Sequence, residues 1–340
     1  MASSKTTCKY LTVPDWGLLT TVFITGACVL VIEMMGTRVL APFFGSGIYT
    51  WSALIAVTLA ALATGYAFGG RLADRLPRTD ILYKLCLAAG LWTLSIPMLA
   101  RPLLPMMAQI ADIRMGVLLS SCTLYFPNLF LLGAIGPFVI RLMTRDHKAA
   151  GSVSGRVFAV STVGSLIGAI GTGFLLVPNY GVQVIFTLCG SVLIAVAVAG
   201  NLRPKFIGYA ITLTVFVSTP SLLVKPAPEE GSSIELLESL PSFYGQLQVI
   251  QMHGEKSLLV DGIGQNYVYD NDIYSTQYIN FIAALPMMHQ PTAGAERNAL
   301  GIGMGAGQLP IMLQRQGLHV VAGEIDPRIG DFAKKHCSFG

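Results

Sequence analysis

The chain reads as an all-α membrane bundle followed by a small β-hairpin region and the opening of an α/β domain. Three observations predict this. Hydrophobic residues make up 53% of the 340 residues and charged residues only 12%, about half the charged share of a soluble domain, and the mean hydropathy is +0.62. Almost no charge falls inside the long apolar runs before Lys225, whereas Glu229, Glu230, Glu235, Glu238, Glu255, Asp261, Asp270 and Asp272 crowd into the stretch after it. That shift marks a domain boundary. Beyond residue 240 the hydrophobic pattern then changes from long runs to short segments with strand and helix periods.

A helix needs about 20 apolar residues to cross about 30 Å of hydrocarbon. Such runs stand near Trp16–Leu40, Ile48–Gly70, Ile81–Ala100, Met115–Ile140, Val157–Val177, Val182–Gly200 and Phe206–Val224. They predict about seven transmembrane helices within residues 1–225. The seventh run carries Thr212, Thr214, Ser218, Thr219 and Pro220 and is the most polar of the set. The first is not a cleavable signal: it is too long, contains Glu33 and leads into further spans.

The loops differ in charge. Arg71, Arg75 and Arg78 lie between the second and third runs. Arg141, Arg145, Lys148 and Arg156 lie between the fourth and fifth, and Arg203 and Lys205 between the sixth and seventh. The alternate loops are poor in basic residues. The excess of lysine and arginine on cytoplasmic loops therefore puts the N-terminus inside. With seven spans, everything after Lys225 is expected outside, in a protein of the bacterial inner membrane. The net charge of +4 is small and does not suggest nucleic acid as a partner. The expected partners are the lipid bilayer and a second copy or other subunits of a membrane complex.

Two features inside the spans stand out. Gly164 and Gly168 are four apart on one helical face, where small residues let helices approach closely. The face serves packing within the bundle or dimerisation. Glu33 lies within the first run, with Arg38 near its end. A carboxylate in hydrocarbon is costly and faces a partner or a cavity, so Glu33 is either half of an ion pair with another helix or a contact for a proton or substrate. Arg38 is five residues on, a poor helical spacing for a direct pair.

The six cysteines are scattered, with no CxxC pair, and the four in apolar runs, Cys28, Cys86, Cys122 and Cys189, read as small buried side chains. None of the five histidines has metal-ligand spacing. No metal site and no catalytic residue is assigned.

Residues 226–240 read as a linker rich in proline, glutamate and serine. Gly245–Met252 alternates, His253–Lys256 is a turn and Ser257–Val260 a second strand, which makes residues 241–270 a β-hairpin region. Tyr274–Ala284 reads as helix, Asn298–Ile302 as strand, Gln308–Gln316 as helix and Leu318–Ala322 as strand. Residues 271–340 thus open a doubly wound, Rossmann-like α/β domain. Between its first strand and helix stands Gly301-Ile302-Gly303-Met304-Gly305-Ala306-Gly307. Glycines let backbone approach a nucleoside, and an acid about 20 residues on can accept both ribose hydroxyls. Glu324 stands at that place, which makes Gly303, Gly305, Gly307 and Glu324 candidate nucleoside-binding residues.

In order along the chain, Ser242-Phe243-Tyr244-Gly245, Leu259-Val260-Asp261-Gly262-Ile263-Gly264-Gln265, the glycine turn and Gly323-Glu324-Ile325-Asp326-Pro327 resemble spermidine synthase over residues 241–330. The membrane part resembles fused major-facilitator/spermidine synthase proteins. Glu33-Met34-Met35-Gly36-Thr37-Arg38, Ala41-Pro42-Phe43-Phe44-Gly45 and Gly69-Gly70-Arg71-Leu72-Ala73-Asp74-Arg75 carry that likeness. Gly70, Asp74, Arg75 and Arg78 also resemble the major-facilitator loop signature, with Pro77 where that signature has glycine.

The resemblance implies a methyltransferase-type fold that binds decarboxylated S-adenosylmethionine as co-substrate and transfers its aminopropyl group to putrescine. It implies that Gln265 contacts the nucleotide substrate and Glu324 the ribose. Tyr244, Asp270 and Tyr274 are implied to face the substrate. The chain departs from the family at Ala306, where the family carries an aspartate that helps hold the cationic substrate. It departs again after Tyr274, which Ser275 and Thr276 follow; an alignment on Leu285-Pro286 selects Tyr278 instead. The family's catalytic aspartate lies beyond Gly340, so the domain is expected to be truncated and this chain alone to lack aminopropyltransferase activity. The alternatives are a non-catalytic accessory subunit of a membrane complex and a half-transporter for polyamine-like solutes.

Overall fold

The structure, a computed structural model, describes residues 14–109, 112–144, 149–200, 234–242, 245–252, 255–260, 263–269, 277–288 and 297–336. Six described helices are long and apolar enough to cross a membrane: α1 (Asp15–Phe44), α2 (Ile48–Arg75), α3 (Thr79–Ala108), α4 (Ile113–Met143), α5 (Ala150–Asn179) and α6 (Val182–Gly200). The protein is an integral membrane protein. The seventh expected span, Phe206–Val224, lies outside the described residues.

The helices outrun the apolar stretches that predict them. Thirty residues in α1 extend about 45 Å at 1.5 Å per residue, well beyond the hydrocarbon thickness. The extra turns carry the charges. Arg141 at the end of α4 donates from Nε to Asp74 Oδ1 at the end of α2, 3.2 Å away. Arg78 forms a forked pair with Asp80 at 3.0 and 3.1 Å.

Glycine sets the helix pairing inside the bundle. Gly164 and Gly168 of α5 face α1, where a Cβ at Gly168 would stand 2.7 Å from the carbonyl of Ala27. Ser165, between them, donates to the Gly26 carbonyl at 2.9 Å. This face packs on α1, the first of the two roles expected for it. Gly65 and Gly69 of α2 meet the α4 backbone in the same way, and a Cβ at Gly90 of α3 would stand 2.9 Å from the Gly190 carbonyl of α6. Without a hydrophobic drive between helices in lipid, such close approach is what holds them together. Cys28, Cys86 and Cys189 are buried in this core, as expected for small apolar side chains, whereas Cys122 is exposed.

The second unit begins with a four-stranded antiparallel sheet in sequential order: β1 (Ile234–Pro241), β2 (Gln246–Met252), β3 (Glu255–Val260) and β4 (Ile263–Tyr269). Two strands of this sheet extend the expected hairpin. β1 runs through residues whose composition reads as linker; its edge position tolerates Pro241. The pairing of Met252 with Glu255 takes Glu255 and Lys256 into β3, where a four-residue turn was expected. Leu237 is the extra residue of a bulge in β1 and packs on the core formed by Leu247, Val249, Leu258, Ala306 and Phe332.

After α7 (Gln277–Ala284), a single β-α-β unit follows: β5 (Asn298–Ile302), α8 (Gln308–Arg315) and β6 (His319–Gly323). The two strands pair in parallel from Asn298 with His319 to Ile302 with Gly323. The last helix, α9, spans Pro327–His336. Two parallel strands are all that the described residues show of the expected Rossmann-like sheet.

Candidate functional site

The turn from β5 into α8 is built by backbone that only glycine adopts freely. Gly303, Gly305 and Gly307 have φ of +85°, +55° and +81°, a region that costs an L side chain energy. The Gly303 N–H donates to the Gly323 carbonyl at 2.8 Å, and Gly307 N–H to Met304 at 3.0 Å. These bonds close the turn beside the end of β6, where Glu324 stands.

Glu324 is held by four backbone amides. Met304 and Gly305 donate to Oε2 at 2.8 and 3.3 Å. Ile325 and Asp326 donate to Oε1 at 2.9 and 3.2 Å. A carboxylate offers about four lone-pair sites, so its acceptor capacity is used. Partial burial pushes its pKa up, but the four amide bonds together outweigh that and hold it below the usual carboxylate value. The structure therefore brings Gly303, Gly305, Gly307 and Glu324 together. A ribose diol reaching Glu324 has to take over the two longer bonds, those from Gly305 and Asp326.

Gln265 is the extra residue of a bulge in β4: Leu258 pairs with Asn266 and Leu259 with Gly264. Bulges re-aim side chains and recur near binding sites. Gln265 is half-buried. Tyr244, Asp270 and Tyr274 lie outside the described residues. Tyr278 is exposed on α7.

Ala306 is fully buried, packed with Leu247, Val249 and Leu258 of the small sheet. The position is a core position, and an acid placed there would enter an apolar cluster.

One buried pair had no role from sequence. Ser242 and Asp326 are 1% and 3% exposed, and the Ser242 hydroxyl donates to Asp326 Oδ2. Asp326 Oδ1 also accepts the Arg328 N–H at 3.1 Å, capping α9. The only signal in the sequence is that each residue sits beside a motif, Ser242 before Tyr-Gly and Asp326 after Glu-Ile.

In the bundle, Glu33 is half-buried in the middle of α1, and Arg38 is half-buried near its end. No group of three or more histidine, cysteine, aspartate or glutamate side chains able to hold a metal occurs among the described residues. No family model, no curated protein and no solved structure matches the chain.

Proposed function

We propose that the protein is a membrane-anchored relative of spermidine synthase whose C-terminal unit binds a nucleoside such as decarboxylated S-adenosylmethionine, with altered or lost aminopropyl transfer. The observation that supports it is the glycine turn with the Glu324 carboxylate gathered against its amides. Glycine turn, following helix and acid at the end of the next strand are the parts that hold a nucleoside in doubly wound domains. Ala306 in the apolar core supports the loss of catalysis, because the acid that would hold the cationic end of the substrate has no counterpart there. An accessory, non-catalytic subunit is the second reading, and the same residue favours it.

The ordered motifs from Ser242 to Pro327 support a polyamine-related substrate. The inner-membrane location and the extracytoplasmic C-terminal unit rest on the loop charges and on Phe206–Val224 crossing. A topology reporter fused at Gly231 is expected to read extracytoplasmic; a cytoplasmic signal removes that orientation.

Titration calorimetry of the full chain in detergent with decarboxylated S-adenosylmethionine and methylthioadenosine tests the main reading. Saturable binding is expected, weakened about tenfold or more by Glu324→Ala, since hydrogen bonds to charged groups contribute about 1.5–3 kcal/mol. Absent binding, or binding indifferent to Glu324, rejects the nucleoside reading. Spermidine formed from putrescine by the purified chain rejects the loss of catalysis.

A further inference from the structure

The bundle holds a cavity of about 190 Å³ between α1, α2, α4 and α5. Among the described residues none that lines it is charged; the polar wall consists of the hydroxyls of Thr25, Tyr66, Ser161, Thr162 and Ser165. Three of these have committed their protons to backbone carbonyls: Thr25 to Val22 at 3.2 Å, Thr162 to Phe158 at 2.8 Å and Ser165 to Gly26 at 2.9 Å. A hydroxyl that donates in this way keeps its lone pairs as acceptors. The wall is therefore poor in donors and rich in acceptors.

Glu33 adds a negative charge to the same face. On α1 the lining residues Val22, Gly26, Val29 and Leu30 follow the spacing of one helical face. Glu33 continues that face, one turn past Val29. Helical side chains lean toward the helix N-terminus; Glu33 is not itself a lining residue and stands one turn beyond them on the same face of α1. It makes no hydrogen bond or ion pair among the described residues, although an unpaired charge in hydrocarbon is costly.

α4 supplies an independent observation. Leu132 and Gly136 line the cavity, and Ser121, Tyr125 and Asn128 continue their face by helical spacing. All three are 0% exposed, yet Ser121 Oγ, Tyr125 Oη and Asn128 Oδ1 have no hydrogen-bond partner among the described residues. Buried polar atoms are ordinarily paired, and exceptions call for a missing partner. The Tyr125 ring stands 3.3 Å from where a Cβ at Gly36 would be, one turn along α1 from Glu33. Tyr125 thus lies one turn of α1 from Glu33, whereas the Asn128 amide donates to Thr93 of α3 at 3.0 Å.

We propose that this cavity binds a small protonated amine, with Glu33 as its counter-ion and the wall hydroxyls accepting from its N–H groups. An ammonium carries donors only, which suits a wall of acceptors. An anion finds no cation among the described wall residues, and a neutral apolar solute leaves Glu33 unpaired. The volume far exceeds the share of one water, about 30 Å³, so a compact organic cation fits. The proposal is independent of the nucleoside reading, since every residue in it belongs to the bundle.

The test is titration calorimetry of the full chain in nanodiscs at pH 7 with butylammonium, against its neutral counterpart butanol, sodium chloride and empty discs. Saturable binding of butylammonium but not butanol is expected. Glu33→Gln is expected to weaken it at least about tenfold, as loss of a charged hydrogen-bond partner does. Gly136→Leu is expected to abolish it. Gly136 lines the cavity and a Cβ there has nothing within 4 Å, so the added side chain fills the space without displacing backbone. Unchanged thermal melts of both variants establish that they fold; if Glu33→Gln does not, Gly136→Leu decides alone. No saturable binding of butylammonium, or equal binding in Gly136→Leu, overturns the proposal. Binding of sodium that butylammonium does not compete with also overturns it, in favour of a metal-ion site.

Discussion

Ser242 donates its hydroxyl to Asp326 across 84 residues of sequence, and so ties the end of β1 to the start of α9. Both side chains are almost wholly buried, and Asp326 also caps α9 through Arg328. Removing the hydroxyl leaves a buried carboxylate oxygen without its donor. Ser242→Ala is expected to destabilise the C-terminal unit by about 1–3 kcal/mol. Hydrogen exchange of the α9 amides in the full chain checks this: faster exchange there, with the bundle unchanged, is the expected pattern.

Ala306 gives a sharper substitution test. An aspartate at this position puts a carboxylate among Leu247, Val249 and Leu258. A buried polar group without a partner costs about 2–7 kcal/mol and an unpaired charge more. Ala306→Asp is therefore expected to unfold the C-terminal unit, whereas Ala306→Gly, which adds no polar group, stays folded. Protease protection of residues after Lys225 distinguishes the two; an Ala306→Asp chain that resists protease and gains affinity for decarboxylated S-adenosylmethionine contradicts this reading of the core.

Acid is expected to loosen the same unit. Glu238 on β1 accepts from His336 at 2.6 Å and Lys335 at 2.7 Å on α9. The His336 bond first, then Lys335, hold its pKa below the usual 4.5. Glu324 is lowered as well by its amide bonds. For a group whose folded pKa is depressed, the stabilisation is fully present above the unfolded value and is lost as pH falls through the folded one. Stability after Lys225 is thus expected to hold from pH 7 to about 5 and to decline below about 4.5. Glu238→Gln is expected to flatten part of that decline in a proteolysis series from pH 7 to pH 3; an unaltered slope assigns it to other groups.

The bundle was legible because its signal is long. Runs of apolar residues survive any packing detail, and six of the described helices stand where those runs predict. The ends were not, since helix propagation carries on into charged turns that hydropathy does not report. In the C-terminal unit, β2, β5, α8 and β6 follow periodicity and the glycine turn. β1 and β4 were missed for a common reason. Each has a bulge, at Leu237 and at Gln265, and one extra residue breaks the alternation on which strand recognition depends. The site was legible where backbone chemistry dictates residue type, as at Gly303, Gly305 and Gly307. Ser242 with Asp326, and Ala306 in the core, depend on contacts between distant segments, which spacing along the chain does not encode.

Two glycines on one helix separate packing from mere composition. In α5 a Cβ at Gly168 would lie 2.7 Å from the Ala27 carbonyl and 2.8 Å from its Cα, whereas a Cβ at Gly171 meets nothing within 4 Å. Backbone atoms cannot swing aside as a flexible side chain can, so α5 has to move off α1 to admit the larger residue at 168. Overpacking of this kind costs about 1–3 kcal/mol, more where backbone is the obstacle. Gly168→Leu is therefore expected to lower the melting temperature of the bundle and to weaken the Ser165 bond to Gly26. Gly171→Leu gains helix propensity of under about 1 kcal/mol with no obstacle, and is expected to melt at or slightly above the parent. Thermal melts in one detergent compare them directly. Equal melting of the two variants contradicts the close α1–α5 seam, and loss of a dimer on Gly168→Leu with unchanged melting assigns that face to a second copy instead.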